Sequence, residues 1–296
     1  MAQSAQASLR QPLLDLTGVD LERAGKVTYV LHQRFRYDYD APVYDLEHRL
    51  VAIPRARHGS LRRRLHSVEV STPGARTTSQ RDRHGNLVVR VRLGYVPESV
   101  EFTVAAVVER GGPVVDARLP AAALTDPRYL RPTRRTAADP TLRALAAELR
   151  AGTADDLEFA DRCCALVRGA IAYEFGPTSV ATTAAEAFAV GRGVCQDHAH
   201  VMLALCRSAG VPARYVSGHL LGEGGSHAWV EVVVRDGAGA RAVAMDPCNG
   251  CRASARHIPV AVGRDYGDVP PTSGRYSGSA SGRLTTSKRA GVTAAS

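Results

Sequence analysis

The stretch GRGVCQDHAHVMLALCRSAG, residues 191–210, joins a Gly-x-Gly turn to a run of helical periodicity. The pattern predicts a central helix from about Cys195 to Ala209, closed by Gly210 and Pro212. Three later residues share the buried face of Cys195: Ala199, Met202 and Cys206. The N–H groups and partial positive charge of a helix N-terminus favour a thiolate and can hold the oxyanion of a tetrahedral intermediate. The stretch therefore predicts a reactive cysteine.

A nucleophilic thiol needs a base, and the base needs an orienting partner. The residues from His227 to Val234 and from Arg241 to Asp246 are strand-like, and Asp236-Gly237 between them is a favoured two-residue hairpin turn. Counted outward from that turn, His227 falls directly opposite Asp246, with Cβ atoms about 5 Å apart. A carboxylate at that place can hold the imidazole tautomer and support the imidazolium. We therefore predict a Cys195, His227 and Asp246 triad.

The chain has 296 residues and a net charge of +9, and nearly all of its cations are arginine. These arginines are dispersed and are not interleaved with aromatic residues, so we expect a solvated basic surface and no nucleic-acid partner. No stretch approaches the roughly 18 consecutive apolar residues of a membrane-spanning helix, so no membrane partner is expected either. The N-terminus has no basic start followed by an apolar run, which predicts a cytoplasmic location.

The first 112 residues read as an arm followed by an all-β unit. Residues 1–25 lack periodicity and predict a loose, flexible arm, whereas residues 26–112 predict a small β-sandwich domain. Five residues alternate with polar ones from position 100 onward: Val100, Phe102, Val104, Ala106 and Val108. Ala105 and Val107 blur this alternation, which suggests that the second face of the strand is partly covered.

The remaining residues predict a linker, a helical and strand-bearing core, and a tail. Residues 113–135 are rich in Pro and Arg and are interpreted as a linker, and residues 136–262 as the core. Asp139-Pro140 and Thr183 with Glu186 give helix-start signals within that core. Residues 263–296 form a C-terminal extension, whose last twenty residues are rich in Ser, Gly, Thr and Ala and predict a disordered tail.

Three ordered blocks resemble the bacterial transglutaminase-like superfamily: residues 191–220, the SHAWVEV segment from Ser226, and the aspartate of MDPCNG. The resemblance covers roughly residues 27–276, since YDYDAP and DRHGN look like parts of the N-terminal domain often fused to these enzymes. It implies an α+β fold, with a papain-like core preceded by a β-sandwich. It also implies Cys195 as nucleophile, His227 as general base and acid, and Asp246 as orienting carboxylate.

The resemblance implies cysteine-dependent acyl transfer through a thioester, with a peptide, protein or small amide as substrate and no cofactor. Water as acceptor gives a protease or amidase, and an amine gives a transamidase; the sequence leaves both open. Papain-like enzymes often use an upstream glutamine in the oxyanion hole, but only Gln196, after the nucleophile, is near, so that donor is unassigned. The rival hypothesis is a non-catalytic binding or scaffold protein that keeps the fold.

Several neighbouring residues have structural interpretations as well as functional ones. Trp229 is interpreted as a packing residue beside the site, and His198 and His200 as structural because they lie on different helix faces. Cys248 stands where related sequences look to have threonine. Cys248 and Cys251 have the spacing of half a zinc site or of a redox pair, but no second pair exists, so we predict that they hold no metal.

Overall fold

The structure, a computed structural model of the chain, describes residue 9, residues 11–222 and residues 225–296. More of these residues lie in strands than in helices, as the α+β prediction requires. Among the described helices, none combines the length and the apolar character needed to cross a lipid bilayer.

Nine strands build two antiparallel sheets that form the β region. The first sheet contains β1 (Lys26–Tyr39), β3 (Arg57–His58), β4 (Leu61–Val70), β7 (Ser99–Gly111) and β17 (Gly282–Ala295), in the order β17-β1-β7-β4-β3. The second contains β2 (Val43–Ile53), β5 (Arg76–Arg81), β6 (Leu87–Val96) and β16 (Thr272–Ser277), in the order β16-β2-β6-β5.

The long strands of the first sheet divide one face between two cores. Phe35 in the second half of β1 packs with Leu46 and Val91 of the second sheet, inside the sandwich. Val27 and Tyr29, in the first half of the same strand, pack instead with the core of the helical region. Since side chains alternate along a strand, all three β1 residues lie on the same face. The sandwich therefore rests directly on the helical region.

The helical region contains five helices and a third sheet. The helices are α1 (Pro127–Leu130), α2 (Pro140–Ala151), α3 (Asp156–Ala170), α4 (Ala184–Val190) and α5 (Cys195–Ser208). The sheet contains β8 (Ala117–Leu119), β11 (Ala213–Leu220), β12 (His227–Asp236), β13 (Gly239–Asp246), β14 (Cys251–Arg252) and β15 (His257–Gly263), with the path β14-β13-β12-β11-β15 and β8 beside β13. A short parallel pair, β9 (Ala172–Tyr173) and β10 (Arg192–Gly193), leads into α5.

Helix α5 is buried from Gln196 to Arg207 and packs in the same core as the apolar face of β12. The even-numbered residues of β12, Val230 and Val232 among them, lie on that face. A helix enclosed on every side is held rigidly by close packing. The position of its first residue is therefore well fixed.

The prediction of a disordered C-terminal tail is wrong. Residues 282–295 form β17, which pairs with β1 in antiparallel register from Ala295 opposite Val27 to Gly282 opposite Tyr39. Ser, Gly and Thr carry no apolar signal, but the ladder with β1 uses only backbone groups. Pairing with an otherwise open strand edge orders this segment.

The predicted arm and linker are also more ordered than expected. Residues 1–8 and 10 of the arm lie outside the described residues, but Leu21 is buried and the Leu14 N–H donates to the Val292 carbonyl at 2.8 Å. Within the predicted linker, β8 adds a short strand to β13 and α1 begins at Pro127 after the cap Asp126. The sequence did not predict these short elements, because the segment is rich in Pro and Arg and the elements are too short to show a periodicity.

A buried charge cluster joins the two regions. Glu231 of β12 accepts from Arg214 Nε of β11 at 2.6 Å, and its other oxygen lies 2.5 Å from Nε2 of His58 in β3. Burial opposes ionisation of Glu231, but the charges of Arg214 and His58 outweigh it and lower its pKa to about 2. The cluster therefore holds an ionised carboxylate between the sandwich and the third sheet.

We expect Glu231→Gln to lower the free energy of unfolding by about 3–5 kcal/mol at pH 7, because it leaves Arg214 buried without its counter-charge. Urea denaturation followed by circular dichroism measures this change. Glu47→Gln is the control, since Glu47 pairs with Arg275 on the surface and such pairs contribute little. A loss no larger than that of the control would contradict the role assigned to the cluster.

The stability difference between wild type and Glu231→Gln should depend on pH. The pKa of Glu231 in the folded protein lies below its ordinary value of 4.5. Glu231 therefore makes its full contribution to the free energy of unfolding above pH 4.5, and that contribution is lost as the pH falls towards about 2. We expect the stability difference between wild type and Glu231→Gln to shrink over that interval. Denaturation curves at pH 7, 4.5 and 3 test this.

Candidate active site

Cys195 is the first residue of α5, and the turn before it is built by glycines. Gly191 ends α4 with φ of +66°, a conformation that favours glycine. A Cβ at Gly193 would lie 2.6 Å from Oδ2 of Asp197, so only glycine fits there. That oxygen accepts from the Val194 N–H at 2.8 Å and from the Thr178 hydroxyl at 2.6 Å. The glycines therefore let Asp197 tie the entering chain to the helix start beside the thiol.

His227 is the first residue of β12, and its two ring nitrogens have different partners. Nε2 lies 2.7 Å from Oδ2 of Asp246. The imidazole also interacts with the Cys195 thiol, which helps to raise its pKa. Because a carboxylate only accepts, Nε2 carries a hydrogen, which leaves Nδ1 for the sulfur. The structure thus brings the three residues singled out from the sequence together in the order Cys195, His227, Asp246.

The predicted hairpin turn, however, is displaced by one residue, which shifts the register of the two strands by two residues. Asp236 pairs with Gly239, so the two central turn residues are Gly237 and Ala238. Gly237 has φ of +55°, as the first central residue of a type II′ turn requires. The ladder ends at Val230 and Met245, so Asp246 lies diagonal to His227 and not directly opposite it. The shift preserves the face on which each side chain lies, and the two still meet.

Asp246 accepts five hydrogen bonds. Oδ1 accepts from the Cys248 N–H at 3.0 Å and the Asn249 N–H at 3.2 Å, and Oδ2 accepts from His227, from Asn249 Nδ2 at 2.8 Å and from His257 Nε2 at 3.0 Å. Burial opposes ionisation of Asp246, but the bonds from His227 and His257 outweigh it and hold its pKa well below its usual range. The carboxylate is therefore ionised and fixed in orientation.

The same contacts set the charge of His227. Burial lowers the pKa of its imidazole, but the hydrogen bonds to Asp246 and Cys195, with the charges on both, raise it to about 10. An imidazolium is therefore present at neutral pH, next to the sulfur. A neighbouring imidazolium favours the thiolate form of a cysteine, so the arrangement supports an ion pair between Cys195 and His227.

His257 is a site residue that the sequence reasoning missed. It lies at the start of β15 and its Nε2 meets the same carboxylate oxygen as His227. The Ser254 N–H points at its Nδ1 at 3.0 Å, so Nδ1 accepts and Nε2 must carry the hydrogen donated to Asp246. Its position in the segment HIPVAVG gives no local signal of this contact, which joins it to Asp246 only when β13 and β15 come together.

His227, Asp246 and His257 place three ligand atoms within 4.8 Å of one another, close enough to hold a metal ion. The hydrogen-bond pattern does not suit that use. A metal at Nε2 of His257 would require Nδ1 to donate, yet the Ser254 N–H already points at Nδ1. The three residues fit a hydrogen-bonded catalytic group better than a metal centre.

The CNGC segment forms the turn between β13 and β14. Its backbone supplies two of the N–H groups that bind Asp246, so a cysteine at position 248 can replace threonine without losing those bonds. Cys248 is buried and Cys251 is exposed, and neither forms a disulfide with another described cysteine. The absence of zinc from this segment stays a prediction.

Other residues near the nucleophile have structural contacts. The ring of Trp229 is buried between His227 and His257 and lies against Gly218, where a Cβ would come within 2.4 Å of it. His198 bridges the carbonyls of Val194 and Ile171, each at 3.0 Å. His200 accepts from the Tyr266 N–H, and burial lowers its pKa to about 3. The Gln196 amide donates to the Ser179 carbonyl.

A cysteine at the start of a buried helix, facing a histidine and an aspartate on neighbouring strands, is the arrangement of papain-like cysteine enzymes. Residues 143–247 match the model of the transglutaminase-like superfamily, and residues 29–109 match that of the bacterial transglutaminase-like N-terminal region. The chain belongs to the transglutaminase-like superfamily and carries this N-terminal region before its core.

Similar proteins include uncharacterised proteins of mycobacteria. One from Mycobacterium leprae is 40% identical over 121 residues, which are 38% of this chain and 42% of that protein. One from Mycobacterium tuberculosis is 36% identical over 114 residues, which are 34% of this chain and 36% of that protein. The matched region is thus less than half of either relative.

A solved structure from Cytophaga hutchinsonii, described as a candidate cysteine protease, covers 90% of this chain and 91% of its own, with a TM-score of 0.73 and 20% identity. At that identity the likeness establishes the fold alone. Together with the family, it shows a transglutaminase-like core preceded by a β region.

His257 gives a test of how the site is oriented. We expect His257→Leu to slow alkylation of Cys195 by about five- to tenfold at pH 6.5, because loss of a charged hydrogen bond of about 1.5–3 kcal/mol loosens Asp246 and, through it, His227. His257→Gln keeps an N–H donor and should restore part of the rate. Mass spectrometry of the labelled protein measures the rates.

The control is His66→Leu on β4, outside the site. Melting temperatures of all three variants show whether a slower rate reflects a less stable fold or a loss of orientation of Asp246 and His227. Equal rates for His257→Leu and His66→Leu would show that His257 does not position the site.

Proposed function

We propose that this chain is a cysteine-nucleophile acyl-transfer enzyme that acts on amide or ester carbonyls, with Cys195 as nucleophile, His227 as acid and base, and Asp246 as orienting carboxylate. The observation that carries the proposal is the chain of contacts from the Cys195 thiol through both nitrogens of His227 to Asp246. The family and this grouping together support cysteine-based catalysis in general.

The proposed reaction has two halves. The Cys195 thiolate attacks the carbonyl carbon, and the imidazolium of His227 gives its proton to the departing amine or alcohol, which leaves a thioester on the sulfur. Water or an amine then attacks the thioester while His227 takes its proton, and the thiolate is released. The free N–H groups at the start of α5 are suited to bind the oxyanion.

The substrate class in this proposal is a peptide, a protein or a small amide. Water as acceptor makes the enzyme a protease or amidase, and an amine makes it a transamidase. We also propose a cytoplasmic location, which suits a chain whose described cysteines form no disulfides, because disulfides are rare in reducing compartments. The competing proposal is a scaffold that keeps the fold without turnover.

The cysteines should differ in reactivity. Burial raises the pKa of Cys164 to about 12, and contact with Cys206 and burial raise that of Cys163 further. We therefore expect iodoacetamide at pH 6.5 to label Cys195 first, and His227→Ala to slow that labelling. Peptide mapping by mass spectrometry measures each site, and equal rates at Cys195 and the exposed Cys251 would count against an activated thiolate.

Turnover gives the direct test. Wild type and Cys195→Ala are assayed on a mixed panel of peptides, amides and esters, with and without an added amine, and the acyl group on Cys195 is trapped by mass spectrometry. We expect the thioester only in wild type, with a melting temperature in Cys195→Ala close to that of wild type, because the change leaves a small void at a helix start. Absence of any thioester, with both proteins alike across the panel, would favour the scaffold.

A further inference from the structure

Lysine is rare in this chain, and one of its lysines lies beside the candidate active site. The sequence contains 38 Lys and Arg residues, of which only Lys26 and Lys288 are lysine. Lys26, the first residue of β1, pairs with Glu109 of β7. Lys288 belongs to β17, where it pairs with Gln33 of β1. In a chain that uses arginine almost everywhere, a lysine at this position requires a local reason.

Contacts place the Lys288 ammonium next to the catalytic histidine. Nζ donates to the Ser226 hydroxyl at 2.9 Å, and Ser226 immediately precedes His227. The same ammonium lies 5.9 Å from the centre of the buried Phe35 ring. The ring face and the hydroxyl together fix the side chain of a strand from the sandwich against the helical region.

The charges of Lys288 and Cys195 interact. Burial lowers the pKa of its ammonium, and the negative charge of Cys195 opposes that shift. His219, whose ring lies near, is neutral, because burial and the charge of Lys288 lower its pKa to about 4. No carboxylate among the described residues forms an ion pair with Lys288, and Ser226 takes one of its three N–H donors. Glu223 lies outside those residues.

We propose that Lys288 is a specificity residue that binds a carboxylate on the substrate next to the reacting carbonyl. This inference rests on the proposed function and adds a substrate class to it: acyl donors that carry an acidic group on the side of β17. A compact ammonium with N–H donors left after its bond to Ser226 suits a single carboxylate, whereas the planar guanidinium of arginine is shaped for bidentate contacts. The C-terminal strand thereby becomes part of the substrate site.

Two reagents of nearly equal size separate charge recognition from thiol reactivity. Iodoacetate carries a carboxylate and iodoacetamide does not, and both transfer their carbon to sulfur with loss of iodide. The ratio of their rates at Cys195 within one protein cancels any change in the reactivity of the thiol itself. It therefore measures how well the site accepts an anion beside the sulfur.

We expect Lys288→Met, which keeps the length and removes the charge, to lower the iodoacetate to iodoacetamide ratio by about three- to tenfold, the size expected for one unit charge a few ångströms away that is screened by water. Lys288→Glu should lower it further, and Lys288→Arg should lose less than Lys288→Met. Lys26→Met, which removes the other lysine, should leave the ratio unchanged. Melting temperatures verify that each variant is folded.

A ratio that stays within about twofold of wild type in both Lys288→Met and Lys288→Glu would overturn the inference. Slow labelling of Cys195 by both reagents, at the rate of Cys251, would instead count against the proposed function, while the ratio would still report on Lys288.

Discussion

The hydrogen bonds to the buried Asp246 carboxylate are the interaction on which the rest of the site depends. They come from the turn that follows β13, from the start of β12 and from the start of β15, so one side chain joins three segments. An ionised group in the interior is stable only when such donors surround it. Once it is held, His227 can carry a positive charge and face the sulfur with its remaining nitrogen. The helix start supplies the sulfur from the opposite side.

The N-terminal region is part of this arrangement and not a separate attachment. The first sheet covers the helical core with half of one face and closes the sandwich with the other half, so neither core is complete without it. Glu231 adds a buried ionic contact between the regions. Because β17 is the edge strand of that sheet, the last segment of the chain reaches the candidate site, and Lys288 with it.

The fold alone does not decide what the site does, since one fold can host several chemistries. What favours catalysis is the state of the groups: a partly exposed thiol at a helix start, an imidazolium beside it and a carboxylate that cannot rotate. In the proposed reaction, the choice between water and an amine as acceptor depends on which molecule reaches the thioester first. The proposed role of Lys288 would constrain the acyl donor independently of that choice.

The sequence by itself determined the local features: the start of α5 at Cys195, and the face of the hairpin that carries His227 and Asp246. Helix starts and the alternation of side chains along a strand depend on neighbouring residues, so short-range sequence patterns are enough to predict them. The tertiary structure alone decided the hairpin register, the contact of His257 with Asp246, and the pairing of β17 with β1. Moving a turn by one residue shifts the register by two, and a strand with few apolar residues is ordered mainly by the strand edge with which it pairs. Such contacts join residues that are far apart in the chain, so no single segment of the sequence shows that they form.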